Sequence, residues 1–203
     1  MREARIPQPN CSTGDLTPNP HSSSTTLSYI NTVLQTVLGR ADARVVRTNR
    51  SQGPSRLGIA FGSHVAIPSF DHLSAGQAML LSIFLTILHY ADVGSPYGYI
   101  SLQDIEGIVV IDEVDAHLHA DLQYNTLPKL IKLFPKIQFI MTSHSPLFLL
   151  GMKNEFGDDG FQILEMPSGL TIDAERFSEF KQSFDWYKAT KKFENTVQSL
   201  VKA

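Results

Sequence analysis

The sequence predicts an α/β fold, and three observations carry that prediction. Two apolar runs, "GIVVID" (107–112) and the strand within "KIQFIMTSHSP" (136–146), have the character of strands buried on both faces. Between them "ADLQYNTLPKLIKLF" (120–134) has the spacing of a crossover helix, which makes the two strands parallel neighbours in a right-handed βαβ unit. Ahead of them "ARVVRT" (43–48), "RLGIAF" (56–61) and "HVAIPSF" (64–70), separated by "SQGPS" and "GS", predict antiparallel hairpins.

The bulk numbers bound the possibilities. A chain of 203 residues holds one domain with a real core and a tail. With 42% hydrophobic and 18% charged residues it is globular rather than disordered. A net charge of -3 gives no bulk sign of a polyanion-binding surface. Cys11 stands alone, so no internal disulfide forms, which fits a reducing cytoplasm. The N-terminus lacks the apolar core of a secretory signal, and the longest apolar stretch, "AMLLSIFLTILHYA" (78–91), is too short to span a bilayer. A cytoplasmic chain with no membrane partner is the expectation.

In chain order, residues 1–26 are rich in Pro, Ser, Thr and Asn and predict an irregular segment. "LSYINTVLQTVLG" (27–39) carries Leu27, Ile30, Val33, Leu34, Val37 and Leu38 at helical spacing, with Gly39 as its stop. After the three hairpin strands, "LSAGQ" (73–77) leads into the apolar helix, and "DVGSPYGYIS" (92–101) is a loop. Pro128 should kink or break the crossover helix. "FQILEM" and "LTIDAE" around "PSG" predict a hairpin. From Phe177 the pattern is helical, and Phe177, Phe180, Phe184 and Tyr187 form a stripe, read as core packing rather than a cofactor box. The segments expected are thus 1–26, 27–176 and 177–203, with no internal repeat.

Three short stretches carry chemistry. Ligands of parallel α/β sheets sit at the carboxyl ends of the strands, and Asp112 and Glu113 end one of them. Phosphoryl transfer requires a carboxylate to hold Mg²⁺ and a group beside it to position water; adjacent acids supply both. "VDAHLH" (114–119) adds Asp115, His117 and His119, so the run also reads as a metal cluster or as a plain polar turn. "TSHSP" (142–146) ends the next strand and brings His144 to the same sheet edge. In "LSAGQ", Ser74 or Ser69 is positioned to cap the helix, and Gly76 leaves backbone N–H groups open at its positive end, a phosphate cradle in form.

In this order, "LSAGQ", "IVVIDE", "VDAHLH" and "MTSHSP" resemble the signature motif, Walker B strand, D-loop and switch-histidine loop of an ABC-type ATPase head. The flavour is that of the overcoming-lysogenization-defect (OLD), RecF-like and SMC-like branch, AAA-type ATP-binding proteins of bacterial DNA maintenance and anti-phage defence. The resemblance covers roughly residues 55–190 and implies a partial P-loop NTPase fold. It implies that Asp112 helps hold Mg²⁺, that Glu113 polarises the attacking water, and that His144 contacts the γ-phosphate of ATP. It implies that Asp115 lies in the loop facing the opposite subunit, and that Ser74, Gly76 and Gln77 reach across a dimer to the other head's nucleotide. Ala75 stands where the family more often has glycine, which narrows backbone freedom there.

The departure is the absence of G-x-x-x-x-G-K-[ST]. "GPSRLGIA" (53–60) has Gly53 and Gly58 at the right spacing but Ile59 and Ala60 in place of Lys and Ser/Thr. The chain therefore resembles only the C-terminal half of a head, and ATP hydrolysis is expected only with a Walker A half, in a homodimer or with a partner ATPase half, and with a nucleic acid or defence effector as a further partner. Two alternatives stay open. One is a metal-dependent hydrolase using Asp115, His117 and His119 with Asp112 and His144. The other is a non-catalytic module that pairs with an intact relative. The acidic signature of a Toprim nuclease is missing, so no nuclease activity is expected.

Overall fold

The computed structural model describes residues 20–48, 57–94 and 101–177, and beyond these residues 179, 180, 182, 185, 186 and 189. Helix α1 (Pro20–Leu38) begins seven residues before the predicted helix, within the stretch expected to be irregular; residues 1–19 lie outside the described set. Its inward residues Val33, Leu34 and Val37 are buried against α2 and β1, and that packing outweighs the weak helix preference of a Ser/Thr-rich start. The helix ends as Gly39 predicts: φ is +63°, Gly39 N–H donates to Thr36 O at 3.3 Å and Arg40 N–H to Gln35 O at 3.0 Å, a Schellman motif.

The antiparallel sheet follows as predicted. β1 (Ala43–Arg47) pairs with β2 (Leu57–Phe61), which pairs with β3 (His64–Ile67), the register shifting between Ile59 and Ala60. Gly58, one of the two glycines of the near-match to a phosphate loop, lies inside β2. A Cβ there would stand 2.7 Å from Ile67 O and from Thr48 Cγ2, so this glycine serves close strand packing. Gly53 lies outside the described residues.

Helix α2 (Ala75–Gly94) runs through the core with Leu80, Leu81, Phe84 and Leu88 buried. β4 (Glu106–Ile111) and β5 (Lys136–Met141) then pair in parallel, Glu106 opposite Lys136 through Ile111 opposite Met141. The predicted crossover between them holds a π-helical turn (Leu122–Thr126) followed by α3 (Leu127–Lys132). Pro128 is the second residue of α3, directly after the π-turn, so the predicted break is realised as a change of helical pitch. Phe84 stacks on Phe134 with centroids 5.8 Å apart, joining α2 to the end of the crossover. Helix α4 (Pro146–Phe156) follows, then the predicted hairpin, β6 (Ile163–Glu165) with β7 (Leu170–Ile172).

Two expectations are corrected. The strand at 107–112 is not buried on both faces. Ile108 and Val110 are 67% and 73% exposed, and Ile140 beside them on β5 is 50% exposed. Only the opposite face, with Val109, Ile111 and Phe139, packs on the core, because among the described residues the sheet has two strands and one covering layer. The aromatic stripe is not one buried face either. Phe177 packs against Tyr124 and Leu150, but Phe180 is 52% exposed; Phe184 and Tyr187 lie outside the described residues. Among the described residues, no helix is long and apolar enough to cross a membrane.

Candidate functional site

The register of β4 on β5 makes the chain leave both strands at one sheet edge, and there the structure brings together Asp112, Glu113, Asp115 and His144. Thr142 is the hinge pin. Its hydroxyl donates to Asp112 Oδ1 at 2.5 Å and accepts from Glu113 N–H at 2.7 Å. Its carbonyl accepts from Val114 N–H at 3.0 Å, and its own N–H donates to Ile111 O at 3.0 Å. Two residues on, His144 N–H donates to Asp115 Oδ1 at 3.2 Å. Asp112, Glu113 and His144 are exposed, while Val114, between the acids, is fully buried and anchors the loop.

The loop after β4 is strained. Glu113 has φ +49° and His117 φ +60°, left-handed values that cost a non-glycine residue on the order of 1 kcal/mol or more. Such conformations persist where surrounding bonds over-determine them, and at Glu113 the bonds to Thr142 do so on both flanks. Thr142 was not singled out from the sequence. A threonine directly after an apolar run is common at strand ends, and only the pairing register reveals its partners.

The start of α2 is built differently. Ser74 is the N-cap and Gln77 the third helical residue. Gln77 N–H donates to Ser74 Oγ at 3.3 Å, and Ser74 N–H to Gln77 Oε1 at 3.1 Å, a capping box. Ser69 caps a separate 3₁₀ turn (Phe70–His72) instead. Gly76 is buried. A Cβ there would stand 2.9 Å from His117 O and 3.1 Å from side-chain carbons of Leu118 and Leu122. The glycine thus lets the start of α2 lie directly on the loop that carries Asp115 and His117.

The donors fit a hard cation. Mg²⁺ is held through one or two carboxylates, with water and substrate phosphates filling its other positions, and Asp112 offers an exposed carboxylate at the strand end. The zinc alternative is not supported: among the described residues, no three His, Cys, Asp or Glu side chains group so as to hold a metal ion. A groove of about 690 Å³ runs along β4 from Tyr90 past Ile108 and Val110 to Asp112.

Residues 62–150 match the family described as "AAA domain, putative AbiEii toxin, Type IV TA system". The chain is 43% identical over 74 residues to the "Retron Ec83 probable ATPase" of Escherichia coli, covering 36% of this chain and 14% of that protein. It is 32% identical to the "Septu protein PtuA" of Bacillus thuringiensis, covering 62% of this chain and 39% of that one. The chain therefore spans less than two-fifths of the length of either relative. A solved structure titled "Structural biochemistry of ATP-driven dimerization and DNA stimulated activation of SMC ATPases" superposes on 81% of this chain and 94% of its own, with a TM-score of 0.47 and 14% identity. Every motif of the site, from the Ser74 cap to His144, falls inside the span 62–150 over which this chain is similar to that AAA-domain family.

Proposed function

We propose that this chain contributes the signature, Walker B, D-loop and switch-histidine parts of an ABC-type ATPase head of the OLD, RecF-like and SMC-like branch, and that residues 27–176 form this part. ATP hydrolysis then requires a Walker A segment, which these 203 residues do not contain, and dimerisation. The observation that carries the reading is the stitching of two strand-end loops by Thr142 and Asp115, which holds Asp112, Glu113 and His144 at one sheet edge.

In this reading Asp112 holds Mg²⁺, which neutralises charge on the transferring phosphoryl group when bound. Glu113, aimed by its left-handed backbone, accepts a hydrogen bond from the attacking water and polarises it. His144 contacts the γ-phosphate from the neighbouring loop, and Asp115 fixes that loop through the His144 N–H. Ser74, Gly76 and Gln77 face the nucleotide of the opposite head, a role that for Ser74 and Gln77 adds to the capping they perform within the chain. The exposed face of Ile108, Val110 and Ile140 supports the need for a further layer, since parallel strands are stable when both faces are covered. A setting in anti-phage defence or DNA maintenance, in the cytoplasm, belongs to the same reading, and relatives bearing retron and Septu names support its defence part.

The test is a fusion. The part of the Bacillus thuringiensis relative that precedes its matching region is joined ahead of residue 27. The chain alone should show no ATP binding at micromolar nucleotide, and the fusion should bind and hydrolyse ATP. In the fusion, Glu113→Gln should lower kcat by about 10²-fold or more while ATP still binds. A fusion that binds ATP and turns it over unchanged after Glu113→Gln sinks the assignment.

A further inference from the structure

Behind the exposed bond between His144 and Asp115 lies a second, inner connection between the same two loops, and one side chain makes it. Gln123 sits in the π-helical turn Leu122–Thr126 and is half-buried. Its Nε2 donates to Leu118 O at 2.8 Å and to Asp115 O at 3.4 Å, so it holds both ends of the turn that contains His117 at φ +60°. Its Oε1 accepts from Ser145 Oγ at 2.5 Å. Ser145 follows His144, is buried, and caps α4 by accepting from Phe148 N–H at 3.2 Å. One carboxamide thus ties the Asp115 loop, which follows β4, to the residue that fixes the direction of the His144 loop, which follows β5.

Three features set this apart from ordinary packing. The brace spans 22 residues of sequence, between Gln123 and Ser145, and joins two loops rather than two faces of one helix. It uses both ends of the carboxamide, so neither an acid nor an aliphatic side chain of the same length replaces it. It also lies in a π-turn, a helical irregularity that shifts the phase of the side chains and is enriched at functional sites. A left-handed backbone at His117 stays in place only while its neighbours hold it there, and the Leu118 and Asp115 carbonyls bound by Gln123 are those neighbours.

We propose that Gln123 is a positioning residue that sets the Asp115 loop against the His144 loop, and through them the geometry in which phosphoryl transfer takes place; the last step rests on the ATPase reading above. Gln123→Leu removes all three bonds. Gln123→Glu keeps an acceptor for the Ser145 hydroxyl but loses both donations to the Leu118 and Asp115 carbonyls.

Hydrogen–deuterium exchange on the chain alone tests the brace without reference to ATP. Gln123→Leu should raise amide exchange about tenfold in 113–119 and in 142–146 while β1–β3 stay protected. Gln123→Glu should raise it in 113–119 only. A uniform rise across all elements, or none, overturns the proposal. In the fusion head, Gln123→Leu should lower kcat about tenfold or more with the KM for ATP within about twofold. Loosened loops with an unchanged kcat in an active head would make Gln123 purely structural and overturn its positioning role. A wild-type fusion that never hydrolyses ATP counts against the ATPase reading, while the exchange pattern still decides whether the brace exists.

Discussion

The two walls of the site are held by different kinds of bond. At the start of α2, Ser74 and Gln77 satisfy each other within four residues, following the rules of any helix start. At the ends of β4 and β5, the bonds cross about thirty residues of sequence, from Thr142 to Asp112 and Glu113 and from His144 to Asp115. Local rules account for the first wall. They do not predict the second, where a glutamate and a histidine adopt backbone conformations that local energetics disfavour. Such a departure persists only where the surrounding structure over-determines it, and here bonds from distant residues do so. Gly76 joins the walls, because the helix start rests on the very loop whose conformation is strained.

Removing the long-range pin should have the largest effect. Thr142→Val keeps the shape of the side chain but loses the hydroxyl that bonds Asp112 and the Glu113 N–H. The site is exposed, so stability should fall by only about 1 kcal/mol, while kcat of the fusion head should fall on the order of 10²-fold. Thr142→Ser should restore most of both. A stability loss with unchanged kcat would show that the strand-end bonds hold only the fold. Next in size is the contact between the walls. Gly76→Ala would push a methyl to 2.9 Å from His117 O, so α2 or the loop must move, at a cost of about 1–3 kcal/mol in thermal or urea unfolding of the chain alone. A neutral Gly76→Ala would mean that the loop yields freely and the walls are not coupled.

Much of this was legible in the residues, for reasons that differ by element. The parallel pairing of β4 and β5 followed from two apolar runs one crossover apart, and their shared register put His144 beside the acids. Gly39 announced a helix end, and Ser74 or Ser69 a helix start, because few residues suit those positions; the structure gives the start of α2 to Ser74. The role of Thr142 and the brace of Gln123 were hidden, since both depend on which atoms meet across the sheet edge and neither residue is unusual in its place. Pro128 marked a disturbance in the crossover but did not reveal a π-turn, because a missing N–H is compatible with several helical pitches. The exposure of Ile108 and Val110 ran against their pattern. Periodicity reports the environment a strand is suited to, and among the described residues no element covers that face.

The smallest change tests the local wall, and it separates two roles for one residue. Ser74→Ala leaves the Gln77 N–H without its capping oxygen, which costs a helix about 1 kcal/mol and should lower the Tm of the chain alone by a few degrees. Gln77→Ala should cost no more, and the double substitution less than the sum of the two, because each single change already opens the reciprocal box. If Ser74 is a cap and nothing else, kcat of the dimeric fusion head is unchanged by Ser74→Ala at temperatures well below its Tm. Ser74 is exposed, two residues ahead of the Gly76 that rests on the loop of Asp115 and His117, and the proposed role across the dimer demands more of its hydroxyl. In that case kcat should fall about tenfold at equal folded fraction and equal dimer fraction.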